Sequence, residues 1–237
     1  ITYGDWSSDV CSSDLADDGA LVTGIGRLAG RTVALIGHQK GRDLKENVDL
    51  RLWGMTHPEG HAKAMRVMET AERFGFPLVT LVDTPGAYPG VAAEQHGQGG
   101  SIARSQAAML RLGVPTVSCI IGEGMSGGAV AIAAADRVLM QQNAIYSVIS
   151  PEGCAAILWK DAAHAAEAAE SLGITATRLK TLGVIDKIVA EPPGGAHRDY
   201  DAMMQNLKKA LQDTWRQLQN EPIEELLDRK STRLNSS

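Results

Sequence analysis

Residues 116–136, TVSCIIGEGMSGGAVAIAAAD, constrain what this chain can fold into more than any other stretch. The run from Thr116 to Ile121 is apolar and largely β-branched, and short enough for one buried strand. Gly122, Glu123, Gly124, Met125, Ser126, Gly127 and Gly128 follow, and then the small apolar residues 129–135. Glycines at this density let a backbone turn tightly and approach a ligand closely, because no Cβ stands in the way. An alanine-rich run forms helix readily with little bulk, which suits a helix packed deep in a core. A strand, a glycine turn and a buried helix in that order leave unpaired N–H groups at the helix N-terminus, where partial positive charge also collects. Such a place can hold an anion or a developing oxyanion.

Three readings of this turn stay open on its residues alone. It can be a tight strand–helix connection in an α/β core. It can be a nucleophile elbow, since residues 124–128 read G-x-S-x-G with Ser126 as the nucleophile. It can also be an oxyanion hole in which glycine N–H groups act and Ser126 is incidental.

Upstream, the same arrangement recurs. Residues 32–36 (TVALI) read as a buried strand ending at Gly37, followed by the polar loop His38-Gln39-Lys40-Gly41-Arg42-Asp43. A basic loop at a strand's C-terminal end is placed either to touch an anionic ligand or simply to be solvated. His57-Pro58-Glu59 starts a helix predicted to reach Phe74, with Ala62, Met65, Met68 and Ala71 on its inner stripe as core filler. Residues 78–82 (LVTLV) form the next strand and run into Asp83-Thr84-Pro85-Gly86-Ala87-Tyr88-Pro89-Gly90, a second Gly/Pro-rich turn. D-T-P-G also occurs as a GTPase switch, but no G-x-x-x-x-G-K-[ST] loop exists in the chain to hold a nucleotide. Residues 97–112 read as a helix with Ile102, Ala103, Ala107 and Leu110 facing inward.

Strands alternating with helices, each strand ending in a glycine-rich loop, define an α/β protein with a parallel or mostly parallel sheet and ligands at the strands' C-terminal ends. Beyond Asp136 short strands are expected at 137–140, 144–147 and 184–189, and helices from Ser150-Pro151 and over 162–171 and 176–182. Residues 199–219 form a long helix with Met203, Leu207, Leu211, Trp215 and Leu218 on one face, broken at Pro222. Such a helix closes its own core or docks on a partner.

Composition narrows the function classes. Of 237 residues, 44% are hydrophobic and 22% charged, an ordinary globular balance. A net charge of −5 speaks against a nucleic-acid partner. No apolar run is long enough for a membrane span. Cys11, Cys119 and Cys154 are scattered without a C-x-x-C pair, so no structural zinc site and a reducing, cytoplasmic setting are expected. Residues 1–15 and 231–237 are Ser/Asp- or Ser/Asn-rich without periodicity and resemble translated sequencing-adaptor sequence. They are set aside as artefact or disordered tails, leaving 16–230 as the folded unit.

Four segments together carry a resemblance: GHQKGRD (37–43), VDTPGAYPG (82–90), IGEGMSGGAVAIA (121–133) and YSVISPEGCAAILWKDAA (146–163). In that order they resemble the carboxyltransferase α-subunit family of bacterial-type, multi-subunit acetyl-CoA carboxylases, over residues 16–230. The resemblance implies a crotonase-type (ClpP/crotonase) spiral of ββα units with C-terminal helices, and transfer of carboxylate from N1-carboxybiotin to acetyl-CoA to give malonyl-CoA. That reaction is the first committed step of fatty acid synthesis. It implies as partners a zinc-ribbon-bearing β subunit in an α2β2 assembly, the biotin carboxyl carrier protein and biotin carboxylase, with the biotin carried by a partner rather than by this chain. The family also has a helical N-terminal region, for which only residues 1–15 stand ahead of Ala16. Met125 stands where members commonly have another glycine, and His96 and Gly100 lie in a loop that usually reads more charged.

On this reading the backbone N–H groups of Gly127 and Gly128, helped by the Gly86-Ala87 peptide, form the oxyanion hole facing carboxybiotin. Gly124, Met125, Ser126, Tyr88 and Pro89 line its pocket. No side-chain nucleophile is needed, biotin itself can act as base, and the β subunit binds most of the CoA. The alternatives are a Clp-type serine hydrolase, with Ser126 served by one of His38, His57, His61, His96, His164 or His197, and a non-catalytic scaffolding subunit. Adjacent 83–90 and 122–128 turns, inactivity of the chain alone, and a subunit interface among the helices beyond Ser150 are the structural expectations.

Overall fold

The computed structural model describes residues 17–236 and, in its last helix, side chains through residue 232. The reading of residues 1–15 lies outside the described residues; of the tail set aside at 231–237, residues 231–236 continue the last helix, Ile223–Ser236, and only Ser237 lies outside.

The chain opens with a hairpin that the sequence reading did not anticipate. β1 (Leu21–Leu28) and β2 (Arg31–His38) pair antiparallel with Leu28 opposite Arg31. The two-residue turn between them, Ala29-Gly30, has φ of 54° and 81°. Positive φ at both positions is the turn whose twist matches flanking strands. The alternation of β1 is masked because two glycines and Arg27 interrupt it, LVTGIGRL.

A short helical turn α1 (Leu44–Glu46), a π-helical turn (Asn47–Arg51) and a 3-10 turn (Leu52–Gly54) lead into α2 (Pro58–Phe74). Then follow β3 (Leu78–Thr84), α3 (Val91–Gln95), α4 (Gln98–Arg111), β4 (Thr116–Met125), α5 (Ser126–Ala133), β5 (Arg137–Gln141) and β6 (Ile145–Ser147). The remainder is α6 (Pro151–Leu158), α7 (Ala165–Leu172), α8 (Ala176–Thr181), β7 (Lys187–Val189), α9 (Tyr200–Leu218) and α10 (Ile223–Ser236). Strand order is β1-β2-β3-β4-β5-β7, parallel from β2 onward, with β6 paired to the end of β4.

Both faces of the sheet are covered, as a parallel sheet demands. On one face Ile36, Leu78, Val82 and Ile120 pack with Met68, Met109 and Ile132 of α2, α4 and α5. On the other, Val33, Val79, Val117 and Leu139 pack with Met203, Leu207, Leu211, Trp215 and Leu218. The stripe of α9 therefore closes this chain's own core.

Four details differ from the sequence reading. α2 buries Gly60, His61, Ala64, Val67, Met68 and Ala71, while Ala62 and Met65 are only half-buried. α4 turns Ser101, Ser105 and Met109 inward and leaves Ala103 exposed. On α4, Ser105 takes an inward place because it has a buried carbonyl to satisfy: its Oγ donates to Ala131 O at 2.7 Å, as Thr80 Oγ1 on β3 does to Ile132 O at 2.8 Å. β4 does not stop at Ile121 but runs to Met125, and helix begins at once at Ser126. The last strand is confined to Lys187–Val189.

Candidate active site

Two turns meet at the C-terminal ends of β3 and β4. Thr84 pairs with Gly124, so the ladder delivers both turns to the same rim. Contact is close enough to exclude a side chain: a Cβ on Gly128 would lie 2.5 Å from Gly86 C and 2.6 Å from Ala87 N. Gly86, at φ 150°, adopts backbone that residues with a Cβ rarely enter. Ser126 is the pivot, with φ of 56°, a left-handed conformation uncommon for a non-glycine residue. It turns the chain from strand into helix in one step, and no side chain caps the first turn of α5.

The N–H groups opening α5 thus have no intrahelical partner and no cap. Ser126 is exposed and Gly127 half-buried, while Gly128 is buried against the facing turn. In that second turn the Gly86 N–H is already donated to Thr84 Oγ1 at 3.1 Å, and Thr84 Oγ1 in turn donates to Gly86 O at 2.6 Å. Of the Gly86-Ala87 pair, Ala87 alone keeps a free donor, and Gly86 contributes its conformation. Met125 is only 5% exposed and Gly124 is buried, so neither presents a surface to solvent. Tyr88 stacks on His57 at 4.3 Å, its N–H donates to Thr56 O at 3.1 Å, and Pro89 is exposed beside it. Gln98 braces the turn from behind, donating to Thr56 O at 2.7 Å and to Tyr88 O at 3.1 Å.

Side-chain chemistry around Ser126 is sparse. Among the described residues no histidine hydrogen-bonds it. His38 is buried and accepts from Asp83 N, His96 and His164 pair with Glu59 and Glu167, and His57 stacks on Tyr88. Burial pushes His38 down to about 3 and His61 down to about 4, so both imidazoles are neutral in the fold. The hydrolase reading therefore has an elbow but, among the described residues, no histidine hydrogen-bonded to its serine.

One constellation escaped the sequence reading. Lys40 Nζ lies 2.8 Å from Asp83 Oδ1 and 2.5 Å from Glu123 Oε2, joining the ends of β2, β3 and β4. Its signal was present, since all three residues lie in segments already singled out, but only the fold brings them together. A cavity of about 600 Å³ lies elsewhere, near the far end of α5, lined by Leu110, Ala134, Val138, Leu182 and Asp228. It includes no residue of either turn.

A doubly covered, mostly parallel sheet with two glycine-rich turns meeting at one rim is the frame of a crotonase-type α/β protein. Residues 7–237 match the family described as "Acetyl co-enzyme A carboxylase carboxyltransferase-like", and the chain belongs to it. It is 58% identical over 221 residues to a protein of Aromatoleum aromaticum named acetyl-coenzyme A carboxylase carboxyl transferase subunit alpha, covering 93% of this chain and 68% of that one. A protein of the same name from Chromobacterium violaceum is 57% identical over the same shares. Among solved structures, a Pseudomonas malonate decarboxylase MdcD–MdcE heterodimer superposes with TM-score 0.73 at 15% identity, over 87% of this chain and 84% of that one. The transcarboxylase 12S core superposes with TM-score 0.64 at 24% identity, over 78% and 36%. These structural likenesses establish the fold.

Proposed function

We propose that this chain is the α half of a biotin-dependent carboxyltransferase, moving carboxylate from N1-carboxybiotin to acetyl-CoA to give malonyl-CoA. The acting unit is residues 16–230. The observation that carries the reading is the uncapped start of α5 pressed against the 83–90 turn, with no histidine hydrogen-bonded to Ser126 among the described residues.

When bound, carboxybiotin supplies the carboxylate and its ureido oxygen gains negative charge as the N–C bond breaks. The N–H groups of Gly127, Gly128 and Ala87 are set to donate to that oxygen, and the positive end of α5 adds to their field. Donors of this kind act without reorganising, because strand and helix already fix them. Gly128 is what lets the two turns touch, and Gly86 what lets the second one bend. Gly124, Met125, Ser126, Tyr88 and Pro89 form the walls of the pocket; buried Gly124 and Met125 set the shape from behind. The proton leaving the acetyl methyl needs no side-chain base from this chain, in keeping with a Ser126 that no histidine hydrogen-bonds among the described residues.

One wall is not a whole site. A β subunit is expected to bind most of the CoA and complete an α2β2 complex that takes biotin from a carrier protein charged by biotin carboxylase. Val148, Ile157 and Leu158 stand 74%, 60% and 65% exposed beyond β6, and we assign this patch to the subunit contact. The test is malonyl-CoA formation from a carboxybiotin donor with and without a β subunit. Activity should appear only in the complex, and turnover by the chain alone would defeat the half-site reading.

A further inference from the structure

Lys40 sits in the basic loop after β2, and its charge is spoken for. Its ammonium is shared between Asp83 and Glu123, so the cluster carries a net negative charge and is unsuited to an anionic ligand. Burial opposes that ammonium, but hydrogen bonds and attraction from the two carboxylates outweigh it and hold Lys40 above the usual lysine range.

What the cluster does is visible in the ladder. Between Val82↔Ile120 and Thr84↔Gly124 the register slips: two steps along β3 answer four along β4. At that bulge β4 loses its regular partner, and Asp83 Oδ1 replaces it by accepting the Glu123 N–H at 3.0 Å. A Cβ on Gly122 would lie 2.5 Å from the same carboxylate oxygen, so only glycine lets Asp83 reach over the strand. The bulge stands just ahead of Gly124–Gly128, and its geometry sets where the N–H groups of α5 point.

Lys40 is itself held. Asn47, buried at 7% exposure, accepts from Gly41 N at 2.8 Å and donates to Gly41 O at 3.2 Å and Asp43 O at 3.1 Å. It does so from a π-helical turn, a rare element that often marks a functional position.

We propose that Lys40 is a positioning residue: by clamping Asp83 and Glu123 on one ammonium it fixes the β4 bulge and so aims the N–H donors of α5 at the 83–90 turn. The proposal rests on the oxyanion-hole reading of that site. Without Lys40, two carboxylates share a rim uncompensated, repel one another, and add negative charge beside a site meant to hold an oxyanion.

The test uses the chain with its β subunit. Lys40→Met should lower kcat on the order of ten- to a hundredfold, the scale of a misplaced donor, with KM for acetyl-CoA within about twofold. Lys40→Arg should restore most of kcat. Adding Glu123→Gln to Lys40→Met should also recover part of it, because one of the repelling charges is gone. A kcat unchanged in Lys40→Met, or a loss that Lys40→Arg does not relieve, overturns the clamp. Hydrogen exchange of the 120–128 backbone, read on the chain alone, decides independently of turnover. Exchange should rise at least about tenfold in Lys40→Met and stay near wild type in Lys40→Arg. Unaltered exchange contradicts the proposal even where carboxyl transfer cannot be measured, and raised exchange upholds the clamp on the β4 bulge even where the enzymatic reading has failed.

Discussion

The two ends of α5 are treated in opposite ways. At its C-terminal end, buried hydroxyls of Ser105 and Thr80 donate to Ala131 O and Ile132 O, so carbonyls that the helix cannot satisfy are closed off inside the core. At its N-terminal end nothing caps the turn, although Ser126 stands there with a hydroxyl. α6 shows what a closed start looks like, with Ser150 Oγ accepting from Gly153 N at 3.1 Å. Several other helices also start without a side-chain cap, but the start of α5 is the one pressed against a second glycine turn. On the proposed reading the difference separates residues that hold the fold from residues that do the chemistry.

The largest effect is expected at the open end. Gly127→Val would push the backbone back and fill the space before the donors, and its Cβ would already meet Ile102 Cδ1 at 3.1 Å. Loss of one aligned donor costs about a hundred- to a thousandfold in rate. Gly128→Ala should be nearly as damaging, because the atoms its Cβ meets belong to the Gly86-Ala87 backbone and cannot swing aside. Malonyl-CoA assays of assembled complexes check both, and near-normal kcat in either would break the comparison.

The closed end should answer in stability instead. Ser105→Ala strips a buried carbonyl of its donor and should cost about 1–3 kcal/mol in urea unfolding, with kcat within about threefold. A kcat collapse without a stability loss would show that the two ends are not as distinct as argued.

Acid should act on the frame behind the turns. His38 and His61 are held neutral, at about 3 and about 4, against an ordinary 6.5. The unfolded chain takes up protons as the pH falls below 6.5 and the folded chain does not, so stability drops from there toward pH 4 and is untouched above 7. The loss is on the order of 1–2 kcal/mol per histidine at pH 5. His61→Leu should flatten the slope of unfolding free energy between pH 5 and 7; an unchanged slope would remove His61 from the account.

Much of this frame was legible in the residues. The strand and helix of 116–136, the Ser150 cap and the five-residue stripe of α9 each follow from local pattern, and the structure keeps them. Lost from view were features that depend on distant partners. The inward Ser105 of α4 makes sense only once the Ala131 carbonyl of α5 is known to lie opposite. Gly86 looked like a donor, yet Thr84 already takes its N–H. The Lys40–Asp83–Glu123 cluster draws on one loop and two strand ends whose meeting no spacing predicts.

The smallest effect is the most telling. Ser126 shapes the elbow by its backbone, at φ 56°, while its side chain has no hydrogen-bond partner among the described residues. Ser126→Ala, assayed as an assembled complex with the β subunit, should therefore cost about tenfold or less, the scale of one neutral hydrogen bond. Fluorophosphonate should leave Ser126 unlabelled. An alanine variant that is folded, assembled and dead, or a labelled Ser126, would mean that a side chain rather than the backbone carries the chemistry.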